Sequence, residues 1–508
     1  MDLVKDLVVI SNTRGTHLTL NVLSTLWPTD NGPHSPLIHI LDDYSLLNIF
    51  SFTRPALLDE SKVDNEQFLD GGEWTRERWW YKLVQVCRRW RYIVLESASH
   101  LRLSLVCARG TPVADMLAHS PPFPLIIDHL DRNHDITAED LEGITLALQH
   151  RERVRRFRLV KPIPTLQKLV VGLDGEFPIL EYLLIEHQQS QGLTHAHDTN
   201  LSLPETFRAP RLRHIVLMNF AIHIDSPLVT TMGNLVTLSL CLIPPSAHFH
   251  SDALLERLSH LPQLEILGIS FNSHHMGGPV DKQLLHTPIM MRVTLPNLRW
   301  LAFQGASAYL DALLPRITMP LLERLQVYFS NQLTYSVPHL QHFITAGNLL
   351  LKLNTATLSF REDYLYLTVY PHKGARMYTL DVMLGCDWHV ASTARVFHQF
   401  RAVFSAIEHL TLEHENDFVE SEGCDEADHT QWRELLGSFG NVKTLFVDGE
   451  LVGQLSRALQ PGEEESPAEL LPELQELSYS VTGGSHDAFT PFIDTRQKAG
   501  RPVTLIRQ

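Results

Sequence analysis

Cysteine is scarce in this 508-residue chain, and its placement excludes two kinds of small module. The five cysteines are scattered, odd in number and without a CxxC pair. Such a pattern is neither a disulfide framework nor a zinc module. Most of them lie in apolar runs, where a reduced and buried thiol is the usual state. We therefore expect an intracellular protein, located in the cytoplasm, the nucleus or both.

Long apolar runs and an excess of basic charge are also missing. No window comes near the roughly eighteen apolar residues that a membrane span requires. The N-terminus has no basic run ahead of a clean apolar block, so a secretory signal is not expected. The net charge of −16 argues against nucleic acid or an anionic membrane as the main partner. Hydrophobic content of 44% with 20% charged residues is nevertheless typical of a folded globular chain.

Sequence motifs of catalysis and cofactor binding are absent as well. The chain has no GxGxxG, GxxxxGK[ST] or GxSxG sequence, and no cysteine lies beside a suitable base. The 28 histidines include pairs at 195/197, 248/250 and 274/275, but a metal site needs three or four convergent ligands. Surface histidines are therefore favoured over a metal centre. We expect no catalytic residue, no cofactor and no metal, and hence a protein that is not an enzyme.

Two amphipathic segments near the N-terminus are the most informative part of the sequence. Residues 40–52 (ILDDYSLLNIFSF) predict a short helix, with Asp42 or Asp43 capping its first N–H groups. Residues 79–96 predict a second helix, because their apolar side chains recur at steps of three and four and form one broad stripe. Arg88, Arg89 and Arg91 form a basic cluster in the middle of that helix.

Together these two segments resemble the F-box family. The family pattern is a leucine followed by acidic residues, an apolar LLxIF segment and L-x-x-V-C-x-x-W-R, and residues 41–43, 46–50 and 83–91 match it. The double tryptophan and the following LRLSLVC are similar to F-box proteins of mushroom-forming (basidiomycete) fungi in particular. Two features depart from the pattern. Asp42 replaces the usual proline after the first leucine, and a polar insert at about residues 59–78 separates the helices.

The resemblance implies a role in ubiquitin transfer. In the F-box family the N-terminal helices dock onto a Skp-type adaptor, and through it onto the cullin of a cullin–RING ubiquitin ligase. The resemblance places the adaptor contact on eight residues: Leu41, Leu47, Ile49, Phe50, Val86, Arg88, Arg89 and Trp90. The arginines are expected near the rim of that contact, where positive charge suits an acidic partner.

From about residue 120 the chain repeats one pattern, a proline or glycine followed by L-x-x-L-x-L. Nine copies have their first apolar position at Leu180, Leu212, Leu235, Leu264, Leu298, Leu322, Ile407, Val442 and Leu474. One long gap between Leu322 and Ile407 has room for two hidden copies, at 355–360 and 376–384, and segments 124–130 and 153–160 extend the series at its start. This resembles the leucine-rich-repeat pattern. Each L-x-L is expected to form a short parallel strand with its leucines inward, and the intervening chain returns as a helix or an irregular arc.

Several other segments carry specific expectations. Residues 101–107 alternate apolar and polar side chains and predict a strand buried on one face. Segments 251–262 and 309–317 have helical spacing and suit the return arcs. The basic run at 151–161 predicts a strand whose arginines face solvent or an acidic partner, with a nucleic-acid site as the weaker alternative. Residues 502–508 predict a last edge strand.

The sequence thus predicts an α/β protein in three parts. Residues 1–36 are unassigned, residues 37–107 form a small helical F-box-like module, and residues 120–508 form an irregular leucine-rich-repeat solenoid. The first functional hypothesis is the substrate-recognition subunit of a Skp–cullin–F-box type ubiquitin ligase, whose repeats bind an unidentified protein substrate. The second is a non-catalytic repeat scaffold whose F-box-like helices only cap the array. Apolar surface exposed on the helices favours docking, because a cap would bury it.

Overall fold

The computed structural model of the chain describes residues 41–55, 77–131, 136–188, 201–230, 233–272, 291–329, 338–346, 353–361, 364–371, 379–385, 400–414, 429–460, 470–480 and 488–507. These residues fall into two compact units. Unit 1 contains the described residues up to 188 together with 203–212, and unit 2 contains 201–202 and those from 213 onward. Residues 1–36, most of the polar insert and the histidine pairs at 195/197 and 274/275 lie outside the described residues.

Unit 1 begins with the short helices α1 (Asp43–Thr53), α2 (Tyr81–Val84), α3 (Arg88–Glu96) and α4 (Ala98–Leu101). Asp42 caps α1, because its Oδ1 accepts a hydrogen bond from the Ser45 amide at 2.6 Å. That hydrogen bond lowers the pKa of the Asp42 carboxyl, since it stabilises the charged form. The first predicted helix and its acidic cap are therefore confirmed.

The prediction of one continuous helix over residues 79–96 is wrong. The chain leaves the helical conformation at Cys87, whose φ of −158° and ψ of 171° are extended. The Cys87 thiol then accepts a hydrogen bond from the Trp90 amide at 3.5 Å and acts as the N-cap of α3. Arg91 Nε donates to the Val84 carbonyl at 3.0 Å, which gives the end of α2 a hydrogen-bond partner. Arg88 is consequently the first residue of α3 and not the middle of a longer helix.

Residues 101–107 also differ from the predicted strand with one buried face. Leu101 ends α4, and Arg102 adopts the left-handed conformation with a φ of 52°. Strand β1 begins only at Leu105 and ends at Ala108, and all of its residues are buried. The alternation in the sequence is misleading here, because both faces of β1 are covered and the polar Ser104 beside it is buried too.

Parallel strands joined by returning helices make up the rest of unit 1. The strands after β1 are β2 (Leu125–His129), β3 (Val154–Lys161) and β4 (Tyr182–His187). They lie side by side in sequence order, so that β1 pairs with β2, β2 with β3 and β3 with β4. The helices between them are α5 (Val113–His119), α6 (Ala138–Gln149) and α7 (Ile163–Val170). A capping box formed by Thr137 and Asp140 starts α6. The predicted extension of the repeat series to 124–130 and 153–160 is confirmed.

Unit 2 continues the alternation of strands and return segments. Its larger strands are β5 (His214–Met218), β6 (Thr237–Ile243), β7 (Ile266–Phe271), β9 (Trp300–Gly305), β11 (Arg324–Phe329), β12 (Thr355–Phe360), β13 (Tyr364–Tyr370), β14 (Thr379–Gly385), β15 (His409–His414), β16 (Thr444–Val447), β17 (Glu476–Tyr479) and β18 (Thr504–Arg507). Strands β8 (Val293–Thr294) and β10 (Ile317–Thr318) form a separate parallel pair. The helices are α8 (Pro227–Thr230), α9 (Ser251–Leu258), α10 (Ser307–Leu313), α11 (Pro338–Ala346), α12 (Arg401–Phe404), α13 (His429–Leu436), α14 (Val452–Ala458) and α15 (Thr490–Lys498).

The repeat motif locates the strands closely. In every one of the nine copies the strand begins two residues after the first apolar position, as with Leu264 before Ile266. The leucines of the L-x-L segments point into the core, and Leu267 and Leu325 are both 0% exposed. Strands β7, β9 and β11 are parallel neighbours in matching register. The predicted architecture of repeated parallel strands with return segments is therefore confirmed within each unit.

The long gap in the repeat series contains a local reversal of the sheet. Both hidden copies are strands, β12 and β14, and β13 lies between them. β13 pairs antiparallel with both, whereas β14 pairs parallel with β11 and β12 pairs parallel with β15. The expectation of parallel strands throughout is wrong at this point. The chain between β12 and β13 is too short for the crossover that parallel neighbours need, and it allows only an antiparallel turn.

The remaining local predictions agree with the structure. Helices α9 and α10 form where the segments 251–262 and 309–317 have helical spacing. The strand predicted at 502–508 is β18, which pairs parallel with β17. No helix within the described ranges is long and apolar enough to cross a membrane.

Candidate functional site

The helices that precede β1 pack together within unit 1. We call this part of unit 1, residues 41–55 and 77–101, the helical module. Leu46 and Phe50 of α1 are buried, as are Ile93 and Val94 of α3. The Phe50 ring meets the Trp90 ring edge-on, with the ring centroids 4.7 Å apart. This geometry is a favoured one for aromatic pairs, so it fixes α1 against α3.

Arg89 connects the start of α1 to α3. Its Nε donates to Asp43 Oδ1 at 2.9 Å, and a terminal N–H donates to the Leu41 carbonyl at 2.5 Å. Arg88, one residue earlier, is exposed. The two neighbouring arginines therefore differ in role, because the charge of Arg89 is used inside the module and that of Arg88 faces solvent.

The helical module also presents apolar side chains to solvent. Among the described residues, five of the eight large apolar side chains that are exposed belong to it: Tyr44 at 74%, Ile49 at 43%, Phe52 at 88%, Val86 at 58% and Tyr92 at 65%. Single exposed apolar residues are normal on any protein, but a concentration of them marks an interaction surface. We call these five residues the exposed apolar set.

Another part of the module covers the outer edge of β1. The Leu105 amide donates to the Pro124 carbonyl next to β2, so the Val106 carbonyl, one residue later, points to the opposite edge. An N–H of Arg78 donates to that carbonyl at 3.3 Å, and Trp80 Nε1 donates to the Ser104 carbonyl at 3.3 Å. The module therefore closes the edge of this strand in addition to exposing apolar side chains.

The eight residues of the adaptor prediction all lie in the helical module, in three environments. Phe50 is buried, Leu41, Leu47, Arg89 and Trp90 are half-buried, and Ile49, Val86 and Arg88 are exposed. Their role in binding stays a prediction. Sequence reasoning missed three exposed aromatics, Tyr44, Phe52 and Tyr92. The sequence did contain a signal for Tyr44 and Phe52. Leu46 and Phe50 are four residues apart and therefore lie on one face of α1, whereas Tyr44 and Phe52 are offset by two residues and lie off that packed face.

Three arginines in the basic run at 151–161 form ion pairs inside unit 1. Arg155 lies 2.9 Å from Glu181, and Arg156 lies 3.3 Å from Glu77. Arg158 pairs with Asp128, and these two side chains are only 7% and 5% exposed. The predicted acidic partners are thus present within the chain. The alternative expectation, arginines that face solvent, is wrong for Arg158, because its position on β3 lies on a covered face of the sheet.

Unit 2 carries a polar network at strand positions that alternate with the buried leucines. Trp300 Nε1 donates to Gln326 Oε1 at 3.1 Å, and Gln326 Nε2 donates to Asp381 Oδ2 at 3.2 Å. The Arg324 guanidinium stacks 4.6 Å from the Trp300 ring centroid, and its Nε lies 3.8 Å from Asp381. Burial, and then the nearby Asp381 carboxylate, raise the pKa of Tyr366 on β13. Because the network spans β9, β11, β14 and β13, the reversed strand order assembles it.

Histidines do not assemble a metal centre in the described part of the chain, where no group of three His, Cys, Asp or Glu side chains could hold an ion. His248 contacts the Ile243 carbonyl at 3.1 Å and packs edge-on against Phe271. Burial, together with the nearby Lys161 charge, lowers the pKa of His129 to about 4 although the Asp140 carboxylate opposes this shift, so the imidazole is neutral at physiological pH.

The cysteines that the structure describes are Cys87, Cys107 and Cys241, and none of these three forms a disulfide. Burial raises the pKa of the Cys107 thiol to about 12, which keeps it protonated. Cys386 and Cys424 lie outside the described residues.

Comparisons with known proteins do not identify this chain. No family model matches it. No curated protein matches it in sequence. Among solved structures, one that matches is the leucine-rich repeat-containing protein LegL7 from Legionella pneumophila, with 11% identity over 78% of this chain and 98% of that chain, at a TM-score of 0.27. A similarity at that level carries no argument, so the repeat architecture rests on the strand register described above.

Proposed function

We propose that this chain is the substrate-recognition subunit of a Skp–cullin–F-box type ubiquitin ligase. In this proposal the helical module docks onto a Skp-type adaptor, and through it onto a cullin, while the repeat strands bind a protein substrate. The observation that carries the proposal is the exposed apolar set on the helical module. Burial of such side chains against a partner stabilises a complex by removing apolar area from water. The match of residues 41–50 and 83–91 to the F-box pattern supports the same assignment.

The charge near this set suits an acidic partner. Arg88 is exposed directly beside Cys87 and Val86, and Lys82 is exposed one helical turn earlier. Positive charges at a rim steer an acidic surface into place and orient it, and they contribute less to affinity than the apolar contact does. The proposed docking surface therefore combines an apolar centre with a basic margin.

The proposed role needs no catalytic group in this chain, because a recognition subunit acts by holding its substrate close to the ligase. The polar network of unit 2 is the substrate contact that we favour. Tryptophan, tyrosine and arginine are the residue types most often found at the energetic centre of protein interfaces. The half-buried Arg324 and Tyr366 lie in this network together with the buried Trp300.

The test uses the full chain and a purified Skp-type adaptor, with affinity measured by titration calorimetry. The informative variant is Val86→Asp, because Val86 is 58% exposed in the helical module. Its matched control is Val171→Asp, the same change at a valine that is 73% exposed in unit 1 but outside the module. Loss of a buried valine contact, at about 1.5–3 kcal/mol, weakens adaptor binding at least tenfold for Val86→Asp only. Equal affinity of both variants would remove the exposed apolar set from the interface.

A charge variant tests the rim separately. Arg88→Glu reverses an exposed charge, whereas the same change at Arg89 would also break the contact with Asp43 and disturb the module. The control is Arg292→Glu, an exposed arginine of unit 2. We expect Arg88→Glu to slow association, the wild-type rate to fall as salt rises, and melting temperature to stay unchanged. An association rate that does not respond to salt would contradict a basic rim.

A specific observation favours a second candidate function, that of a repeat scaffold with a helical cap. The contacts of Arg78 and Trp80 with the carbonyls of Val106 and Ser104 are those that a cap requires. The two functions differ in what the exposed apolar set does. It binds the adaptor in the ligase subunit, whereas in a scaffold it has no binding role. If the wild-type full chain binds no Skp-type adaptor, the scaffold assignment replaces the ligase assignment.

A further inference from the structure

Strand β18 lies at an edge of the sheet of unit 2 and pairs with β17 alone among the described strands. Thr504, Ile506 and Arg507 are exposed, and Ile506 is an apolar side chain with 36% exposure. The Thr504 amide donates to the Gln475 carbonyl at 2.8 Å on the β17 side. Since the hydrogen-bonding direction alternates along a strand, the Leu505 amide points to the other side, away from β17.

A row of core leucines is left incomplete at this edge. Leu445 of β16 and Leu477 of β17 are aligned in register and are 1% and 0% exposed. Leu505 continues the row on β18 but is only half-buried, and β17 is its one neighbour among the described strands. One more strand with an apolar residue at the aligned position would complete the burial of Leu505.

The segment that leads into β18 and forms it carries only basic charge, although Glu476 of the neighbouring β17 lies in register with Thr504. Residues 495–507 (TRQKAGRPVTLIR) contain four basic residues and no acidic residue, in a chain whose net charge is −16. Lys498, Arg501 and Arg507 are exposed. Single charges on a short edge strand usually prevent edge-to-edge pairing, and two copies of this edge would repel each other for the same reason. An acidic segment would instead be attracted.

The outer edge of β1 is covered by other residues of the same chain. There the outward Val106 carbonyl accepts a hydrogen bond from Arg78, and every residue of β1 is buried. On β18, by contrast, Leu505 and Ile506 stay partly exposed. The two edges therefore differ in kind, one closed by the chain itself and one accessible.

We infer that β18 binds an extended acidic segment of a partner protein, which adds to the sheet as a further strand. Main-chain hydrogen bonds to the outward groups of β18 hold the segment, an alternate apolar side chain packs on Leu505, and acidic side chains face Lys498 and Arg501. This site involves none of the residues assigned to the adaptor or to the polar network, so it stands independently of the proposed function.

The experiment measures binding of two fluorescent synthetic peptides to the full chain by anisotropy at low salt. One peptide alternates glutamate with valine and the other alternates lysine with valine. We expect the acidic peptide to bind and the basic peptide to bind at least tenfold more weakly. Hydrogen exchange then gives the signature of strand addition, in which the acidic peptide slows exchange of the Leu505 amide and leaves the Thr504 amide, already bonded to Gln475, unchanged.

Two variants test whether the peptide binds at β18. Leu505→Pro removes the outward N–H without removing a hydrogen bond to β17, and we expect it to weaken peptide binding at least tenfold. Because a proline can also disturb the edge, a double Lys498→Gln, Arg501→Gln variant serves as a second measurement, with an expected loss of about threefold to tenfold. Its control is the equivalent double change at Arg211 and Arg292, both exposed and distant in sequence from β18.

Three results would overturn the inference. The first is the absence of acidic-peptide binding to the wild-type chain at millimolar concentration. The second is binding that leaves the exchange of the Leu505 amide unchanged, which would indicate a purely electrostatic contact. The third is concentration-dependent dimerisation of the wild-type chain that Leu505→Pro abolishes, which would identify a second copy as the occupant of the edge.

Discussion

Removal of one member of the Asp128–Arg158 pair should destabilise unit 1 far more than removal of both. The pair lies on adjacent strands in register, and its neighbours in the same row are Ala108 on β1 and Leu184 on β4. With side-chain exposures of 7% and 5%, both charges are almost completely out of water. Each charge is therefore stable in this place chiefly because the other compensates it.

The magnitude follows from that burial. Asp128→Leu leaves the Arg158 charge in an apolar row, and Arg158→Met leaves the Asp128 charge there, so each should cost about 3–5 kcal/mol. The double variant replaces the pair by apolar side chains that continue the row from Ala108 to Leu184. Its stability should lie within about 1 kcal/mol of the wild type or exceed it. The difference from additivity is then about 5 kcal/mol or more, well beyond the coupling of an exposed pair.

Native-state hydrogen exchange is the suitable assay, because a chain with two units need not unfold in a single transition. The amides of β2 and β3 should exchange faster in either single variant and return to wild-type protection in the double variant. The control pair is Arg299–Glu323, at 2.7 Å with side chains 49% and 21% exposed, where Glu323→Leu should cost about 1 kcal/mol or less. A double variant as unstable as the sum of the two single variants would refute the reasoning.

Two further predictions concern the core. Leu267→Ala, at a position that is 0% exposed between Leu238 and Leu301, should lower the free energy of unfolding of unit 2 by about 2–5 kcal/mol when measured by native-state hydrogen exchange, and a loss below about 1 kcal/mol would show that the position is not core. His129 should make unit 1 sensitive to acid. Its folded-state pKa of about 4 lies below its unfolded value, so the unfolded chain binds the proton first, and stability should fall by about 3 kcal/mol as pH decreases from 7 to 4. A His129→Phe variant should lose less stability over that interval, and an identical pH profile for both proteins would contradict the assignment.

The positions of the repeat strands could be predicted from the sequence because each strand carries its own local signal. A strand that buries alternate leucines shows this in its order of residues, and the strands begin two positions after the first apolar residue in all nine copies. The Asp42 cap was readable for the same reason, since capping involves residues only three positions apart. The helix break at Cys87 could not be predicted, because a thiol is an uncommon N-cap and the helical spacing of apolar residues continues without interruption across Cys87.

The order of residues alone predicts where strands form and which side chains turn inward, because both depend on the periodicity of nearby residues. Which segments become neighbours is seen only in the folded chain. The antiparallel β13, the burial of Arg158 against Asp128 and the network around Asp381 all depend on contacts between residues far apart in the chain. Exposure is decided in the same way. Phe50 and Phe52 are two positions apart on one helix, yet the first is 0% and the second 88% exposed, because only the first side chain meets Trp90.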